Sequence, residues 1–252
     1  MLRKCRLFRL FQQALRFKSG RGRPRSQPSR CQVLLLCLLA TPAFAADLPP
    51  GFVRLADVAP TIRQEMRYAG PHNFTGRPVP GYDTGACWLR REVAVALAAA
   101  EHDLEKRRWR LVVYDCYRPT RAVDAFVTWA RDPRDQVTKA EFYPAIDKKD
   151  LFRLGYIARS SGHSKGIAVD TGAEQLDGNG KAGPIDFGGG FDLFDPKSWT
   201  ASKAVSSEAA ANRRVLVAAF AAHGLVNYAR EWWHYSLPGL AKAPAYDVVI
   251  RP

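Results

Sequence analysis

The sequence has few cysteines, no Cys-x-x-Cys pair and no long apolar run, and each absence argues against a class of protein. It has five cysteines in 252 residues, and without a close pair they disfavour a zinc site built on cysteine. The apolar run Val33–Ala40 is too short to cross a bilayer as a permanent helix. No internal repeat or low-complexity tract follows residue 46, which argues against a repeat array.

The charge of the chain is concentrated at its N-terminal end. The formal net charge is +14, and residues 1–45 hold ten Lys or Arg and no acid, which leaves +4 on residues 46–252. A nucleic-acid-binding domain needs a basic stripe on its folded part. Residues 46–252 carry only clusters of mixed sign, such as Glu105-Lys-Arg-Arg108. We therefore expect no nucleic-acid partner.

The first 45 residues have the pattern of a secretory signal. The basic segment Met1–Arg30 precedes the apolar run Val33–Ala40, and an Ala-x-Ala site ends at Ala45. We expect cleavage after Ala45, which leaves residues 46–252 as one exported, periplasmic domain with no stable membrane anchor. Nothing in the sequence indicates a particular oligomeric state.

Only Cys87 and Cys116 remain after the expected leader, because Cys5, Cys31 and Cys37 lie within it. Two cysteines in an exported domain can form one disulfide. The alternative is a pair of buried free thiols, and sequence does not measure the distance between them. We favour the disulfide.

The mature chain mixes helical and strand-like segments in no regular βαβ order, which predicts one α+β domain. Residues 51–85 are rich in proline and glycine and predict an irregular entry. Residues 131–160 are expected to be peripheral. Apolar spacing predicts helices over 88–107 and after Pro119, and a third helix that is capped by Ser206 or Ser207 and ends before Gly224. Strands are predicted over Trp109–Tyr114, Gly166–Val169 and Trp232–Leu237.

Two short motifs carry residues suited to a catalytic metal. In Ser161-Gly-His163-Ser-Lys-Gly-Ile-Ala-Val-Asp170, a histidine and an aspartate can converge on one ion if the chain turns after the histidine. In Glu231-Trp-Trp-His234, a second histidine supplies a third ligand, and the carboxylate can reach a metal-bound water. Catalytic zinc takes three protein ligands and leaves a position for water, whose proton a carboxylate accepts.

Spacing alone leaves simpler interpretations open. A single histidine in a Gly/Ser-rich turn is more often a surface or capping residue than a ligand, and Glu-x-x-His by itself is a weak signal. His72, His102 and His223 illustrate the ordinary case, because they lie in a loop, on a charged helix face and at a helix end.

The particular residues of these two motifs resemble those of a known superfamily. Ser-x-His-x-x-Gly-x-Ala-x-Asp with Glu-x-x-His is similar to the zinc D,D-peptidase superfamily, which shares the Hedgehog-type fold. Further segments resemble the VanX-type D-Ala-D-Ala dipeptidases of peptidase family M15, in the family's order and over about residues 52–250. These segments are Asn73–Tyr82, Asp115–Val123, Phe191–Asp195, Asn212–Arg214 and Glu231–Tyr235.

The resemblance implies a fold and a site. The fold would be a small central antiparallel sheet flanked by helices. His163, Asp170 and His234 would bind one Zn²⁺ per chain, and Glu231 would be the general base. Arg118 would stabilise the oxyanion. Asp192 would receive the substrate's ammonium, and Tyr68 and Ser161 would line the dipeptide pocket. Without the resemblance, Arg118 is equally consistent with a surface residue at a helix start, and Asp192 with a capping acid. Likewise, Tyr68 is equally consistent with a core residue and Ser161 with a turn residue.

The resemblance implies hydrolysis of D-alanyl-D-alanine, a small dipeptide substrate. The alternatives are a zinc D,D-carboxypeptidase that acts on longer peptidoglycan stem peptides and a non-catalytic module that binds wall peptides. Glu231 and Arg118 argue against the module, because binding a metal requires neither. A serine nucleophile at Ser161 is disfavoured, because no Gly-x-Ser-x-Gly motif accompanies it. One departure from the family pattern is Cys116, at a position where familiar members have glycine. A second is the expected export, since an exported enzyme would scavenge dipeptide released from peptidoglycan.

Overall fold

A central β-sheet organises the computed structural model of the chain, which describes residues 48–252. The expected leader, residues 1–45 with cleavage after Ala45, lies outside the described residues. The strands, in chain order, are β1 (Phe52–Arg54), β2 (Arg63–Gln64), β3 (Trp88–Arg90), β4 (Trp109–Asp115), β5 (Ala168–Leu176), β6 (Ala182–Pro184), β7 (Val226–Asn227) and β8 (His234–Ser236). The helices are α1 (Leu55–Val58), α2 (Arg91–Glu105), α3 (Thr120–Arg131), α4 (Lys139–Phe142), α5 (Leu151–Leu154) and α6 (Ser207–Ala221).

The strands of the main sheet lie in the order β2-β4-β5-β8-β7, and β6 also pairs with β5. All pairs are antiparallel except β2 with β4, which is parallel. The chain returns from β2 to β4 through α2, and parallel pairing requires such a crossover. β1 and β3 form a separate antiparallel pair. The α+β class with a small central sheet is confirmed, and the β2–β4 pair is its one departure from a purely antiparallel sheet.

The core strands follow from their composition. In β4, Leu111, Val112 and Val113 are all buried, as expected for a strand that is covered on both faces. Its partner β5 extends to Leu176, well beyond the predicted end at Val169, because β4 pairs with it as far as Gln175. Strand length here depends on a partner distant in sequence, which local pattern does not contain.

The long helices are those that periodicity predicts. The apolar stripe of α2 is buried at Val93, Leu97 and Leu104. α6 begins directly after Ser206, whose hydroxyl accepts a hydrogen bond from the Ala209 N–H and caps the helix. The turn-rich entry differs from the prediction, because it includes β1, α1 and β2. In the described part of the chain, no helix is both long and apolar enough to cross a membrane.

The segment expected to be peripheral is part of the core. Within residues 131–160, Phe142, Tyr143 and Leu151 are buried. The prediction was wrong because charged residues surround these side chains in sequence, although the short helices α4 and α5 turn the apolar ones inward.

Glu101 is a carboxylate buried inside the fold, on α2. Its side chain accepts a hydrogen bond from the Leu111 N–H at 2.7 Å. Leu111 lies in β4, directly before the two residues of that strand that pair with β2. Only 3% of the residue is exposed. Burial raises the pKa of Glu101 to about 7, although the Leu111 N–H acts in the opposite direction.

We predict that Glu101 makes the protein less stable as pH rises. Between its pKa in the unfolded chain, near the usual carboxyl range, and its folded pKa of about 7, the folded state retains a proton that the unfolded state releases. The free energy of unfolding therefore falls through this window, by up to about 3 kcal/mol. Glu101→Gln cannot ionise, so its stability relative to wild type should increase from pH 5 to pH 8 in urea unfolding. Exposed Glu92→Gln on the same helix is the control, and parallel profiles for wild type and E101Q would contradict the prediction.

Candidate metal centre and catalytic pocket

A cavity of about 250 Å³ lies at the end of the central sheet where β5 meets β8. It contains eight of the predicted site residues, which come from widely separated parts of the sequence. They are Tyr68, Arg118, Ser161, His163, Asp170, Asp192, Glu231 and His234. The fold therefore brings the predicted set together in one place.

His163, Asp170 and His234 form a cluster of possible metal ligands. One nitrogen or oxygen from each lies within 4.8 Å of the others. The antiparallel register of β5 and β8 places Asp170 directly opposite His234, and the Asp170 Oδ1 lies 3.0 Å from the His234 Nδ1. His163 precedes β5 in a turn that reverses at Gly166, which has a φ of +69°. Its Nε2 lies 3.3 Å from the same Asp170 oxygen.

The hydrogen bonding of His163 fits a metal ligand. Its Nδ1 lies 2.7 Å from the Cys116 carbonyl oxygen, and a carbonyl only accepts, so Nδ1 carries the proton. The Nε2 lone pair is then directed at the cluster, which is the arrangement that outer-shell partners of metal-bound histidines produce. Burial acts to raise the pKa of Asp170, but the two imidazoles outweigh it and hold that pKa below its usual range. Two imidazoles and an ionised carboxylate are a donor set suited to a divalent transition metal.

Glu231 lies beside the cluster. Its Oε2 is 3.6 Å from the His234 Nδ1, and the His234 N–H donates to the Glu231 carbonyl across the turn between them. This turn directs both side chains of the Glu-x-x-His motif into the cavity. Burial raises the pKa of Glu231 to about 7, with His234 opposing and Asp170 adding to the shift. A carboxylate with this pKa can both accept and return a proton near neutral pH.

Arg118 extends across the cavity and is held by a residue that was given no role from the sequence, Asp115. The Arg118 Nε and Nη2 donate to the Asp115 Oδ2 at 2.9 and 2.7 Å. The guanidinium carbon lies 5.1 Å from the ring centre of Tyr68 and 5.0 Å from that of Phe126. Asp115 is fully buried and also accepts from the Tyr82 hydroxyl at 2.7 Å. Its place at the end of a buried strand, three residues before Arg118, was the available signal.

The three remaining predicted residues of the pocket, Tyr68, Asp192 and Ser161, make different hydrogen bonds. The Tyr68 hydroxyl donates to the Asp192 Oδ2 at 2.8 Å. Burial and the nearby Asp170 raise the pKa of Asp192 well above its usual range. The Ser161 hydroxyl accepts from the His163 N–H at 3.1 Å, so it stabilises the turn that carries His163 as well as lining the cavity.

One wall of the cavity comes from the region expected to be peripheral, and it consists of Gly155, Tyr156, Ile157, Ala158 and Ser160. Gly155 has a φ of +81°, a left-handed backbone conformation that favours glycine. Nothing in the composition of this wall resembles a catalytic motif, so the sequence offered no signal for it.

Cys87 and Cys116 form a disulfide next to this cavity. Both cysteines are buried, and their Cα atoms lie 5.3 Å apart. The bridge joins the residue before β3 to Cys116, whose carbonyl accepts from His163. Two residues further on, the Arg118 N–H donates to the His163 carbonyl. The covalent link therefore constrains the backbone that supports one of the three clustered ligands.

Comparisons with known proteins agree with the chemistry of this pocket. The family model Peptidase_M15, described as D-ala-D-ala dipeptidase, matches residues 49–251. A D-alanyl-D-alanine dipeptidase of Streptomyces coelicolor is 40% identical over 186 residues, which are 74% of this chain and 91% of the relative. The enzymes of the same name from Enterococcus faecalis and Escherichia coli are 36% and 30% identical, over 74% and 76% of this chain and 91% and 87% of their own.

Among solved structures, the chain is similar to the vancomycin resistance D,D-dipeptidase VanXYg, in complex with a D-Ala-D-Ala phosphinate analogue. The TM-score is 0.35 and the identity is 14%, and the match covers 74% of this chain and 66% of that one.

We predict that removing the disulfide weakens both the fold and the metal centre. The bridge spans 29 residues, so Cys87→Ala/Cys116→Ala should lower the free energy of unfolding by about 3–4 kcal/mol in urea. Metal affinity, measured by zinc competition with a chelator, should fall by roughly tenfold, because the Cys116 carbonyl loses its constraint. Wild type reduced during unfolding is the control and should match the double variant. An unchanged unfolding midpoint would contradict the prediction.

Proposed function

The chain belongs to the D-alanyl-D-alanine dipeptidase family of peptidases, and from this membership we propose that it hydrolyses D-alanyl-D-alanine to two D-alanines with one bound zinc ion. The observation that carries the proposal is the convergence of three possible metal ligands, a carboxylate and a half-buried guanidinium on one cavity. Each has a part in peptide hydrolysis, whereas a binding module would need neither the carboxylate nor the guanidinium.

His163, Asp170 and His234 would hold the zinc ion. Three protein ligands leave a position for water or substrate, which is typical of catalytic and not of structural zinc sites. When bound, the ion would polarise the scissile carbonyl and lower the pKa of the attacking water. Zinc is favoured because imidazole and carboxylate are its usual ligands in such sites.

Glu231 would move the proton and Arg118 would stabilise negative charge. As the water oxygen bonds to the carbonyl carbon, Glu231 accepts the water proton. As the C–N bond breaks, Glu231 returns that proton to the departing amine nitrogen. The Arg118 guanidinium, fixed by Asp115 and by the rings of Tyr68 and Phe126, would donate to the oxyanion that develops on the carbonyl oxygen.

Asp192 would select for the free ammonium of a dipeptide. Its carboxylate is buried and has a neutral partner in Tyr68, so a substrate ammonium would supply the cation that it lacks. A longer peptide has an amide at that point and would leave the carboxylate unpaired, which is costly in a buried site. The buried Asp192 therefore favours the dipeptide over the longer stem peptides that a carboxypeptidase would cleave. Ser161 lines the same cavity.

We infer that the enzyme is exported and works in the periplasm. The signal-like segment ending at Ala45 supports export. The buried disulfide supports an oxidising compartment, because such bridges are rare in the cytosol. In that location its substrate would be dipeptide released during peptidoglycan turnover.

The proposal is tested by alanine release from D-Ala-D-Ala and, separately, from a peptidoglycan pentapeptide that ends in it, each with and without a zinc chelator. We expect chelator-sensitive release from the dipeptide alone. Release mainly from the pentapeptide would replace the proposal with a carboxypeptidase. With zinc bound, no release from either substrate would leave a binding module.

We predict that Glu231→Gln separates metal binding from turnover. The amide keeps the shape of the side chain but cannot accept the water proton, so kcat should fall by roughly 10²–10⁴-fold. Metal analysis should still find one zinc per chain, because Glu231 is not among the three clustered ligands. Exposed Glu208→Gln on α6 is the matched control and should retain full activity. An E231Q variant that kept most of its activity would show that the base is another group.

A further inference from the structure

Arg213, on α6, carries a buried guanidinium whose hydrogen bonds all go to main-chain carbonyls. Its Nε donates to Phe187 at 2.7 Å, and its Nη1 donates to Lys197 at 3.1 Å and to Trp199 at 2.7 Å. Only 1% of the residue is exposed. Within residues 48–252 no carboxylate lies within ion-pair distance of it. Burying an unpaired charge is costly, so a purely structural core would be better served by an apolar side chain.

The three carbonyls bracket the segment that presents Asp192 to the cavity, residues 187–199, which we call the Asp192 loop. The first lies at its start and the other two at its end. Asp192 itself has a φ of +61°, a left-handed conformation that non-glycine residues rarely adopt. Such strain persists only where the surroundings over-determine the backbone. Arg213 supplies that constraint by tying the two ends of the loop to one rigid helix.

The interior of the loop depends on the same anchorage. The Ser198 hydroxyl donates to the Leu193 carbonyl at 2.6 Å, which links the residue after Asp192 to the part of the loop that Arg213 holds. At the entrance, a Cβ on Gly188 would lie 2.5 Å from the Val205 side chain, so the loop packs directly against the start of α6. Displacing either end would therefore displace Asp192.

Glu231 has separate anchors. The Asn227 side-chain amide donates to the carbonyls of Glu231 and His234, each at 3.0 Å. The turn that carries the proposed base is thus fixed from β7, although the Trp232 N–H also donates to Ser198 at the end of the loop. Loss of the Arg213 hydrogen bonds should therefore displace Asp192 much more than it displaces Glu231.

We propose that Arg213 is a positioning residue that fixes Asp192 and thereby sets the preference of the enzyme for substrates with a free ammonium. This inference rests on the proposed dipeptidase function for its catalytic consequence, whereas the restraint of the loop does not depend on activity. Lysine is a poor substitute, because a single ammonium cannot reproduce the planar fork that reaches both ends of the loop.

The restraint is tested by amide hydrogen exchange on the full chain, in Arg213→Lys and in Arg213→Gln. We expect the Phe194, Ser198 and Trp232 N–H groups to exchange at least about tenfold faster than in wild type, because each bonds within or beside the loop. The matched control is Arg214→Lys, the exposed neighbour on α6, in which these amides should be unchanged. Unchanged exchange in both Arg213 variants would overturn the proposal.

The catalytic consequence is tested by a double-mutant cycle with Asp192→Asn. In R213K, KM for D-Ala-D-Ala should rise by roughly tenfold or more while kcat changes less than about threefold. In the D192N background the same substitution should change KM by less than about threefold, because the two residues act as one unit. An equal loss in both backgrounds would reduce Arg213 to a structural role. Absence of hydrolysis by wild type would refute the proposed function and leave hydrogen exchange to decide the restraint.

Discussion

The pairing of β5 with β4 and with β8 determines the geometry of the pocket. On one side Asp170 faces His234, and on the other side it faces Asp115. A one-residue slip in either register would turn these side chains to the opposite face of the sheet. The bulge in β4 between Val113 and Asp115 lies at this point, and it directs Asp115 towards Arg118. The register of the sheet thus positions both the candidate ligand cluster and Asp115, which holds the Arg118 guanidinium.

The pocket concentrates negative charge to a degree that needs compensation. Asp170, Asp192 and Glu231 all contribute carboxylates to one partly enclosed space, and the buried Asp115 lies next to it, bonded to Arg118. Among the described residues that line the cavity, Arg118 is the one guanidinium. The raised pKa values of Asp192 and Glu231 follow from burial and from this crowding. A divalent cation at the ligand cluster and a substrate ammonium at Asp192 would each offset part of that charge. The proposed metal and the proposed substrate would therefore both reduce the same concentration of negative charge.

Much of the fold could be predicted from local pattern, and the exceptions share a cause. The stripe of α2 and the cap at Ser206 are properties of short windows, so α2 and α6 were recognised. The length of β5 and the parallel direction of β2 depend on distant partners. Residues 131–160 were misjudged because their few apolar side chains are separated by charges and become a core only when short helices align them.

The order of residues along the chain fixes which side-chain types are available for chemistry. The identity and order of the residues in the two motifs were enough to predict the metal ligands and the base. They were also enough to show the resemblance to a family. Tertiary structure alone decided what holds them. Asp115 beneath Arg118, the Cys116 carbonyl on His163 and Arg213 at the ends of the Asp192 loop are contacts between distant segments. The physical reason is that donor types are fixed by side-chain chemistry, whereas distances and burial depend on how the whole chain packs.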